Sequence, residues 1–535
     1  MTKAAQKKKK KLTPGKNSKR KPFVLLILDG WGLAKKSKAN AIELAKKPTF
    51  DRLWNTYAHT KLDASGRAAG LPPDQPGNSE AGHMNIGAGR IVEQDSVAIE
   101  KEMNSGKFFK NPAFEAAYDH VVKHKSDLHL MGLLSNGNSP HSDPEHLLAL
   151  LVWARLKKVK NIYLHLFTDG RDSSPHGSLK MIEALMRNLR NQETARSRNG
   201  EWIATIAGRF YSMDRKKSWD RTKLTYDAIV MGRGVYAKSP QEAITQSYNR
   251  NETDEFIRPY VIKRKGKAIA RIKDNDAVIF YNLRSDRARQ LAKPFVQDEF
   301  EKMNQGGFKR PKKLKNLLFV AMTDFGPDLG NSITAYPSAD IKNTLPMAID
   351  GRKQLYIAEK EKYAHITYFI NGGYADPVAG EDRIMILSPD VRSYDQKPEM
   401  SIYKITDRVL SELPKYDFIA INFAIPDMVA HTGNIQAAVK SVEHIDLCLA
   451  ELSRSILALG GTLIITSDHG NADKMLDLET GEMYTEHTDT LVPFILVEKG
   501  NKHRLRRGKL GDVAPTILKL MGIKQPSEMT GEPLF

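Results

Sequence analysis

The chain has 535 residues, of which 41% are hydrophobic, and its formal net charge is +19 at pH 7. A chain of this length exceeds what one core ordinarily organises, so at least two domains are expected. Its single cysteine, Cys448, excludes an intramolecular disulfide framework and suits a reducing, cytoplasmic location. No apolar run reaches the length of a membrane span, so no membrane partner is expected.

The excess positive charge is concentrated at the N-terminus. Residues 1–21 hold ten lysines and arginines and no acidic residue, which leaves +9 of the +19 charge for the remaining chain. Such a segment cannot bury apolar area, so residues 1–21 are predicted to be a disordered basic tail. The tail is expected to be solvated or to bind polyanions weakly. No zinc-finger or RNA-recognition signature follows it, and no specific nucleic-acid partner is expected.

Short apolar runs then alternate with helical patterns. The runs are nearly continuous in Ile, Leu, Val and aromatic residues, which is typical of strands covered on both faces. Helices are predicted at Pro144–Lys157, Ser178–Asn191, Trp219–Met231 and Ile435–Leu459. The alternation predicts an α/β fold with mainly parallel sheets. The predicted strands are Phe23–Leu28, Asp127–Leu134, Asn161–Phe167, Trp202–Ala207, Ala277–Tyr281, Leu317–Met322, Ile366–Ile370, Phe418–Phe423, Thr462–Ile465 and Pro493–Val497.

Acidic residues and histidines follow three of these strands. Asp29, Asp427 and Asp468 each come after a different predicted strand. In parallel α/β sheets, ligands bind beyond the carboxyl ends of the strands. His431 lies four residues after Asp427, so one helical turn would bring both to one face. The candidate ligand set is Asp29, Asp427, His431, Asp468, His469 and His487.

Carboxylates and imidazoles are hard or borderline ligands, which suit Mn²⁺, Zn²⁺ or Mg²⁺ rather than thiophilic metals. Six such ligands are enough for two ions that share a site. A metal pair about 3.5–4 Å apart can stabilise both the attacking and the leaving oxygen in phosphoryl transfer. Alternatively, each aspartate caps a helix and each histidine is an ordinary core or surface group. For any single residue, this structural role is a better explanation than metal binding. For the six residues together, metal binding is the better explanation.

A candidate nucleophile, Ser79, lies in the stretch Pro-Gly-Asn-Ser-Glu-Ala-Gly-His at 76–83. Flanking glycines permit a tight turn and a close approach by substrate. Ser79 is predicted to open a helix, whose amides and dipole would stabilise an attached phosphoryl group. A serine hydroxyl is a weak nucleophile, and a nearby metal pair would activate it. The alternative is a simple serine N-cap.

Arginines follow several strands in the middle of the chain. They occur in Asp-Gly-Arg-Asp at 169–172, Gly-Arg at 208–209, Met-Asp-Arg at 213–215 and Arg-Ser-Asp-Arg at 284–287. The planar guanidinium donates two parallel hydrogen bonds to phosphate or carboxylate. A phosphorylated acid would use several of them, whereas surface ion pairs are the usual role of any single arginine.

Taken together, these motifs resemble those of the cofactor-independent phosphoglycerate mutases of the alkaline phosphatase superfamily. The resemblance covers essentially the whole chain after the tail, with the motifs in the expected order. Asp-His-Gly-Asn alone would indicate only the superfamily, whereas the ordered set is specific. The matching stretches are 28–32, 77–83, 85–90, 169–172, 213–215, 284–289, 361–365, 426–431 and 468–471.

The resemblance implies an alkaline-phosphatase-like parallel-sheet domain that carries the metals, with a second α/β phosphotransferase domain inserted into it. The metal domain would comprise residues 22–93 and 337–535, and the inserted substrate domain residues 94–336, with short hinges at both ends. The implied reaction is the interconversion of 3-phosphoglycerate and 2-phosphoglycerate in glycolysis and gluconeogenesis, through a phosphoserine and without 2,3-bisphosphoglycerate. A monomer is expected.

The same resemblance assigns roles to residues. Two divalent ions, with Mn²⁺ favoured, would be bound by Asp427, His431 and His487 and by Asp29, Ser79, Asp468 and His469. Ser79 would attack the phosphate, and Asp172 would be an acid/base for the glycerate hydroxyls. The positions that match substrate contacts are His141, Arg171, Asp172, Arg209, Arg215, Arg284, Arg287 and Lys362.

One stretch departs from the family pattern. The family usually shows Ser-Asp-Gly-Gly-Val-His-Ser, whereas residues 135–142 read Ser-Asn-Gly-Asn-Ser-Pro-His-Ser, one residue longer.

Two alternative functions are open. The chain could be a phosphatase or a phosphopentomutase of the same superfamily, or it could be an RNA-binding protein on an inactive scaffold. The arginines of the insert favour an acidic substrate, and a scaffold without activity has no physical need for the full ligand set.

Overall fold

The structure, a computed structural model of the chain, describes residues 21–137, 139–193, 200–337, 341–500 and 503–535. The predicted basic tail, except for Lys21, lies outside the described residues. The chain forms two compact units: the first comprises Met1–Gln94 and Asp340–Phe535, and the second Asp95–Ala339. Both units are layered α/β structures with mainly parallel sheets, so the predicted fold class is confirmed.

Both units contain strands. Within the described ranges they are β1 (Phe23–Leu28), β2 (Ala58–Asp63), β3 (Leu128–Leu133), β4 (Asn161–Thr168), β5 (Gly200–Gly208), β6 (Val235–Ala237), β7 (Tyr260–Arg264), β8 (Lys267–Ala268), β9 (Ala277–Phe280), β10 (Leu318–Thr323), β11 (Ile333–Tyr336), β12 (Gln354–Glu359), β13 (Asp382–Ile386), β14 (Phe418–Phe423), β15 (Thr462–Thr466), β16 (Val492–Val497) and β17 (Gly508–Lys509).

The helices of the same ranges are α1 (Ala41–Leu44), α2 (Pro48–Thr56), α3 (Ser79–Ala88), α4 (Asp95–Asn104), α5 (Pro112–His124), α6 (Pro144–Leu156), α7 (Ser178–Glu193), α8 (Arg209–Ser212), α9 (Trp219–Tyr226), α10 (Pro240–Tyr248), α11 (Ser285–Val296), α12 (Phe300–Met303), α13 (Leu345–Ala348), α14 (Ile402–Glu412), α15 (Ile425–Ala430), α16 (Ile435–Ala458) and α17 (Val513–Leu520). In the described residues, none of them is long and apolar enough to span a bilayer.

The sheet of the first unit has the order β13-β12-β14-β1-β15-β16-β2-β17. β1 lies between β14 and β15 and is parallel to both, with Leu28 opposite Phe423 and Ile27 opposite Thr466. The carboxyl ends of these three strands therefore meet at one edge of the sheet. Successive residues of β1 pack into two different cores, since Leu26 joins one cluster and Leu25 the other. Burial on both faces explains why the strand is apolar throughout.

The sheet of the second unit has the order β11-β10-β9-β3-β4-β5-β7-β6, with β8 beside β7. β9, β3, β4 and β5 are parallel neighbours. Their carboxyl ends again meet at one edge. The loops after β4, β5 and β9 contain the arginine motifs of the sequence, and the loop after β3 contains His141. Cores cover both faces, with Leu130 in one cluster and Met131 in the other.

One predicted strand is wrong. Residues His365–Phe369 form a π-helical turn instead of a strand at Ile366–Ile370. A run of five apolar, β-branched and aromatic residues does not by itself distinguish a strand from a buried helical turn. Ile366 and Ile370 pack into a core of the first unit. The segment is apolar because it is buried, although it is not part of the sheet.

Cys448 is a buried core residue of α16. Burial raises the pKa of its thiol to about 11, so the thiolate needed for nucleophilic chemistry is disfavoured.

Candidate active site

Three aspartates meet at the carboxyl edge of the first sheet, because β1, β14 and β15 end there together. Asp29, Asp427 and Asp468 are each at most 2% exposed. The backbone N–H of Asp427 donates to the carbonyl of Asp29 over 3.0 Å. Gly30 has a φ of +78°, and a Cβ added to it would lie 2.8 Å from the Cβ of Asp427. Glycine therefore permits the close approach of the first two aspartates.

Ser79 is the first residue of α3, and Asn78 is its N-cap, with its side chain accepting from Ala81 N over 2.9 Å. The alternative that Ser79 merely caps the helix is therefore wrong. The Ser79 Oγ atom lies 3.2 Å from Asp29 Oδ1 and 2.9 Å from His469 Nε2. Its side chain is thus directed at the acidic cluster, at the positive end of a helix.

Asp427, His431 and His487 form a second group. His431 follows α15, one turn after Asp427, and its Nε2 atom lies 3.2 Å from Asp427 Oδ1. His487 Nε2 lies 3.3 Å from the same oxygen and 3.1 Å from His431 Nε2. His431 Nδ1 is 2.8 Å from Thr485 O, and His487 Nδ1 is 2.8 Å from Gly77 O. Each Nδ1 atom can contact its carbonyl only as a donor, so in the neutral imidazoles the Nε2 atoms, on the side of Asp427, are left to bind a cation.

Lys362 contributes the positive charge of this cluster. Its Nζ atom lies 2.6 Å from Asp29 Oδ1, 2.6 Å from Ser79 Oγ and 2.6 Å from Asp427 Oδ2. Lys362 follows β12 on a short 3₁₀ turn and is 5% exposed. The family resemblance implies a substrate contact for Lys362, and here it contacts the candidate nucleophile and two candidate metal ligands.

Buried charge shifts the protonation of these groups. Burial, the largest single effect, would raise the pKa of Asp29 and of Asp427, but Lys362 and the neighbouring histidines together more than offset it and hold both well below the usual range. Burial lowers the pKa of His469, but the carboxylates of Asp468 and Asp29 raise it to about 9. The cluster thus combines ionised carboxylates with a compensating ammonium.

The donor set fits divalent cations. The ligand atoms of Asp29, Asp468 and His469 lie within 4.8 Å of one another, as do those of Asp427, His469 and His487. Asp468 Oδ2 is buried and accepts no hydrogen bond, since His83 Nδ1, at 3.1 Å, directs its hydrogen to Ser79 O. An ionised oxygen without a donor is costly unless a cation binds it. The Lys362 ammonium lies among three oxygens of the same set, where positive charge is favoured.

Two residues that contact Asp29 or Ser79, Asn422 and His83, were not predicted as site residues from the sequence. Asn422 Nδ2 donates to Asp29 Oδ2 over 2.7 Å and lies 3.0 Å from His83 Nε2. His83 Nδ1 lies 2.9 Å from Ser79 O. The sequence contains a sign of each contact. His83 is four residues after Ser79 and so lies on the same helix face, and Asn422 is the polar residue of an otherwise apolar strand.

The second unit forms a separate polar cluster at the end of β4. Arg209 is 2% exposed, and its Nη1 atom donates to Asp169 Oδ1 and, over 2.6 Å, to Asp172 Oδ2. The backbone N–H groups of Arg171 and Asp172 donate to Asp169 Oδ1 over 3.3 and 3.2 Å. Asp169 therefore supports both the 169–172 turn and the guanidinium of Arg209.

The remaining candidate substrate residues of the second unit lie at the ends of neighbouring strands. His141 is 5% exposed, and burial and Arg209 lower its pKa to about 3, so it is neutral near pH 7. Arg215 donates to Asp286 Oδ2 over 2.6 Å, and Arg287 donates to Met213 O over 3.3 Å. Arg171 lies on the surface, 3.5 Å from Glu255. Arg284 is the N-cap residue of α11.

Comparison with known proteins identifies the family of the chain. A profile of the family described as Metalloenzyme superfamily matches residues 21–525. A 2,3-bisphosphoglycerate-independent phosphoglycerate mutase of Clostridium novyi (strain NT) is 47% identical over 96% of this chain and 99% of its own length. One of Clostridium perfringens (strain SM101 / Type A) is 47% identical over 96% and 98%.

A solved structure, phosphoglycerate mutase of Leishmania mexicana at low cobalt concentration, is similar over 98% of this chain and 99% of its own. Its TM-score is 0.75, with 27% sequence identity. The resemblance found in the motifs is therefore confirmed along the whole described chain. The chain belongs to the metalloenzyme superfamily and, within it, to the 2,3-bisphosphoglycerate-independent phosphoglycerate mutase family.

Proposed function

We propose that the protein interconverts 3-phosphoglycerate and 2-phosphoglycerate through a phosphoserine at Ser79, without 2,3-bisphosphoglycerate. Family membership supports the reaction. The observation that carries the mechanism is the environment of the Ser79 hydroxyl, which lies within 3.2 Å of Asp29, His469 and Lys362. A serine at the start of a helix, surrounded by a carboxylate, an imidazole and an ammonium, is suited to attack a phosphoryl group.

The residues around Ser79 have different roles in its attack on the phosphoryl group. The Asp29 carboxylate is within reach of the hydroxyl proton as the Oγ–P bond forms, and His469, whose pKa is raised, adds positive charge beside the Oγ atom. The ammonium of Lys362 and the first amides of α3 favour negative charge on the phosphoryl oxygens. Two divalent ions, Mn²⁺ in this proposal, would supply charge to the attacking and leaving oxygens when bound. One would be held by Asp29, Ser79, Asp468 and His469, and the other by Asp427, His431 and His487.

The second unit, by this proposal the phosphotransferase domain, would bind the glycerate portion. Its arginines match the charge of a phosphorylated carboxylic acid. Asp172 would exchange protons with the glycerate hydroxyls, and the neutral imidazole of His141 would hydrogen-bond substrate. The proposed contacts are His141, Arg171, Asp172, Arg209, Arg215, Arg284 and Arg287, together with Lys362 of the first unit. We further propose that the protein is a cytoplasmic monomer and that its basic tail binds polyanions only weakly.

The test is a coupled assay of 3-phosphoglycerate isomerisation with defined metals and no added bisphosphoglycerate. Turnover is expected for the wild-type chain, with phosphorylated Ser79 detectable by mass spectrometry after acid quenching. Ser79→Ala should abolish both, whereas Ser411→Ala, at an exposed site on α14, should retain both. A strict requirement for bisphosphoglycerate would overturn the mechanism, and phosphate release without isomerisation would favour a phosphatase.

A further inference from the structure

The loop that departs from the family pattern, residues 135–142, contributes a side chain to the polar cluster of the second unit. Ser139 is 6% exposed. Its hydroxyl donates to Asp172 Oδ2 over 2.8 Å, and its Oγ atom accepts from the backbone N–H of His141 over 3.3 Å. Ser139 therefore connects the backbone of one candidate substrate residue with the carboxylate of another.

The direction of these two hydrogen bonds is fixed. A serine hydroxyl has one proton and two lone pairs. Since Oγ accepts from the N–H of His141, its proton is free to be donated to Asp172, which as a carboxylate can only accept. Ser139 consequently favours the ionised form of Asp172 and holds Oδ2 in one orientation.

The other groups around Asp172 are consistent with this role. Arg209 Nη1 donates to the same oxygen, Oδ2, over 2.6 Å, and Asp169 accepts from the backbone N–H of Asp172. Burial alone would raise the pKa of Asp172, but Arg209, Ser139 and the nearby His141 more than offset it and lower it. Asp172 Oδ2 is thus held from two sides, by a buried guanidinium and by the Ser139 hydroxyl.

We propose that Ser139 is a positioning residue that orients and ionises Asp172 for proton transfer with the glycerate hydroxyls. The inference rests on the proposed function, in which Asp172 exchanges those protons. When a hydroxyl of glycerate attacks the phosphoryl group on Ser79, the new O–P bond forms as the Ser79 Oγ–P bond breaks. Ser79 Oγ leaves with the electron pair, next to the ammonium of Lys362 at 2.6 Å. The O–H bond of the attacking hydroxyl breaks, and its proton passes to the Asp172 carboxylate. Ser139 gains and loses no atom in this step.

The test is a double-mutant cycle with Ser139→Ala, Asp172→Asn and the combined variant. Loss of a hydrogen bond to a charged group should lower the kcat of isomerisation about tenfold or more in Ser139→Ala, with a smaller change in KM. Because Ser139 acts through Asp172, the same substitution should cost nothing further in the Asp172→Asn background. Ser139→Thr, which keeps the hydroxyl, should restore kcat.

A second measurement separates positioning from disturbance of the loop. Ser142→Ala removes a hydroxyl of the same loop that donates to Leu133 O and not to Asp172. Ser139→Ala should move the acidic limb of the kcat profile to higher pH, by up to about one unit, relative to Ser142→Ala. Additive losses in the cycle, or equal acidic limbs in the two variants, would overturn the role of Ser139 while leaving the proposed function intact. An Asp172→Asn variant with full isomerisation would overturn the proposed proton-transfer role of Asp172 and, with it, the role of Ser139.

Discussion

The Nζ atom of Lys362 lies 2.6 Å from the Oγ atom of Ser79. The lysine is buried, and although burial disfavours its charge, Asp29 and Asp427 raise its pKa above the usual value. A permanent ammonium is therefore in contact with the proposed nucleophile. It can lower the energy of the deprotonated hydroxyl and of a phosphoryl group attached to it.

Lys362→Met should reduce isomerisation and phosphate release together, by about 100-fold or more, since it removes charge at the phosphoryl group itself. The measurement is 2-phosphoglycerate formation and phosphate release from one preparation. Lys360→Met, at an exposed neighbour on the same turn, is the matched control and should retain activity. If Lys362→Met loses isomerisation but retains phosphate release, Lys362 binds substrate, as the family resemblance implies, and does not stabilise the phosphoryl group.

Two divalent ions should bind per chain, and chelation should abolish activity, which Mn²⁺ then restores. Binding should also raise the unfolding temperature, because an ion that binds only the folded chain stabilises it and relieves repulsion among buried carboxylates. Metal analysis and thermal unfolding of the wild-type chain, His431→Ala and Ser411→Ala measure both effects. Full activity in metal-free protein, or two ions retained by His431→Ala, would contradict the assignment.

The apolar strands and the ligands at their ends could be predicted because both depend on local patterns and one topological rule. Buried parallel strands are continuously apolar, and their carboxyl ends collect ligands, so Asp29, Asp427 and Asp468 could be grouped. The contact of Lys362 with Ser79 joins residues 283 positions apart. No local pattern encodes such a contact.

Shorter or more polar elements were missed for the same reason. β2, with the sequence Ala-His-Thr-Lys-Leu-Asp, is a strand because β16 and β17 pair with it. Its own residues carry little apolar signal. Ser139 was likewise missed, since its partner Asp172 belongs to a different loop of the second unit.

Glu359 should make the stability of the first unit depend on pH. It is 1% exposed, its Oε1 atom accepts from Ser401 N over 2.9 Å, and its Oε2 atom is buried with no hydrogen-bond partner. Burial raises its pKa from 4.5 to about 7. Between these values the folded chain holds a proton that the unfolded chain has lost. The free energy of unfolding should therefore fall as pH rises through this window, by about 1–3 kcal/mol.

Urea unfolding of wild type, Glu359→Gln and Glu361→Gln at about pH 5 and about pH 8 tests this. Glu359→Gln should remove much of the decline and be the more stable chain at the higher pH. Glu361→Gln, at an exposed neighbour, should decline like wild type. Equal declines in all three chains would show that the Glu359 carboxyl stays ionised in the fold.

Deletion of residues 1–21 should leave turnover nearly unchanged and weaken salt-sensitive binding to polyanions, because ten of the nineteen excess positive charges are removed. Titration of a labelled polyanion at two salt concentrations measures the binding, and the coupled assay measures turnover. A folded but inactive truncated chain would make the segment part of the catalytic unit.

Substitutions in the second unit should affect isomerisation and phosphate release differently, although both reactions proceed through the proposed phosphoserine. In the proposed function the metal ligands and Ser79 belong to the first unit, so removal of the phosphoryl group from substrate should survive a substitution among the proposed glycerate contacts. Return of that group requires glycerate to be held while the phosphoserine persists, with water excluded. Asp172→Asn or Arg284→Ala should therefore lower isomerisation more than phosphate release, whereas Ser79→Ala abolishes both. Parallel measurement of phosphate and 2-phosphoglycerate gives the ratio, and equal losses of both products would mean that the two units do not divide the work in this way.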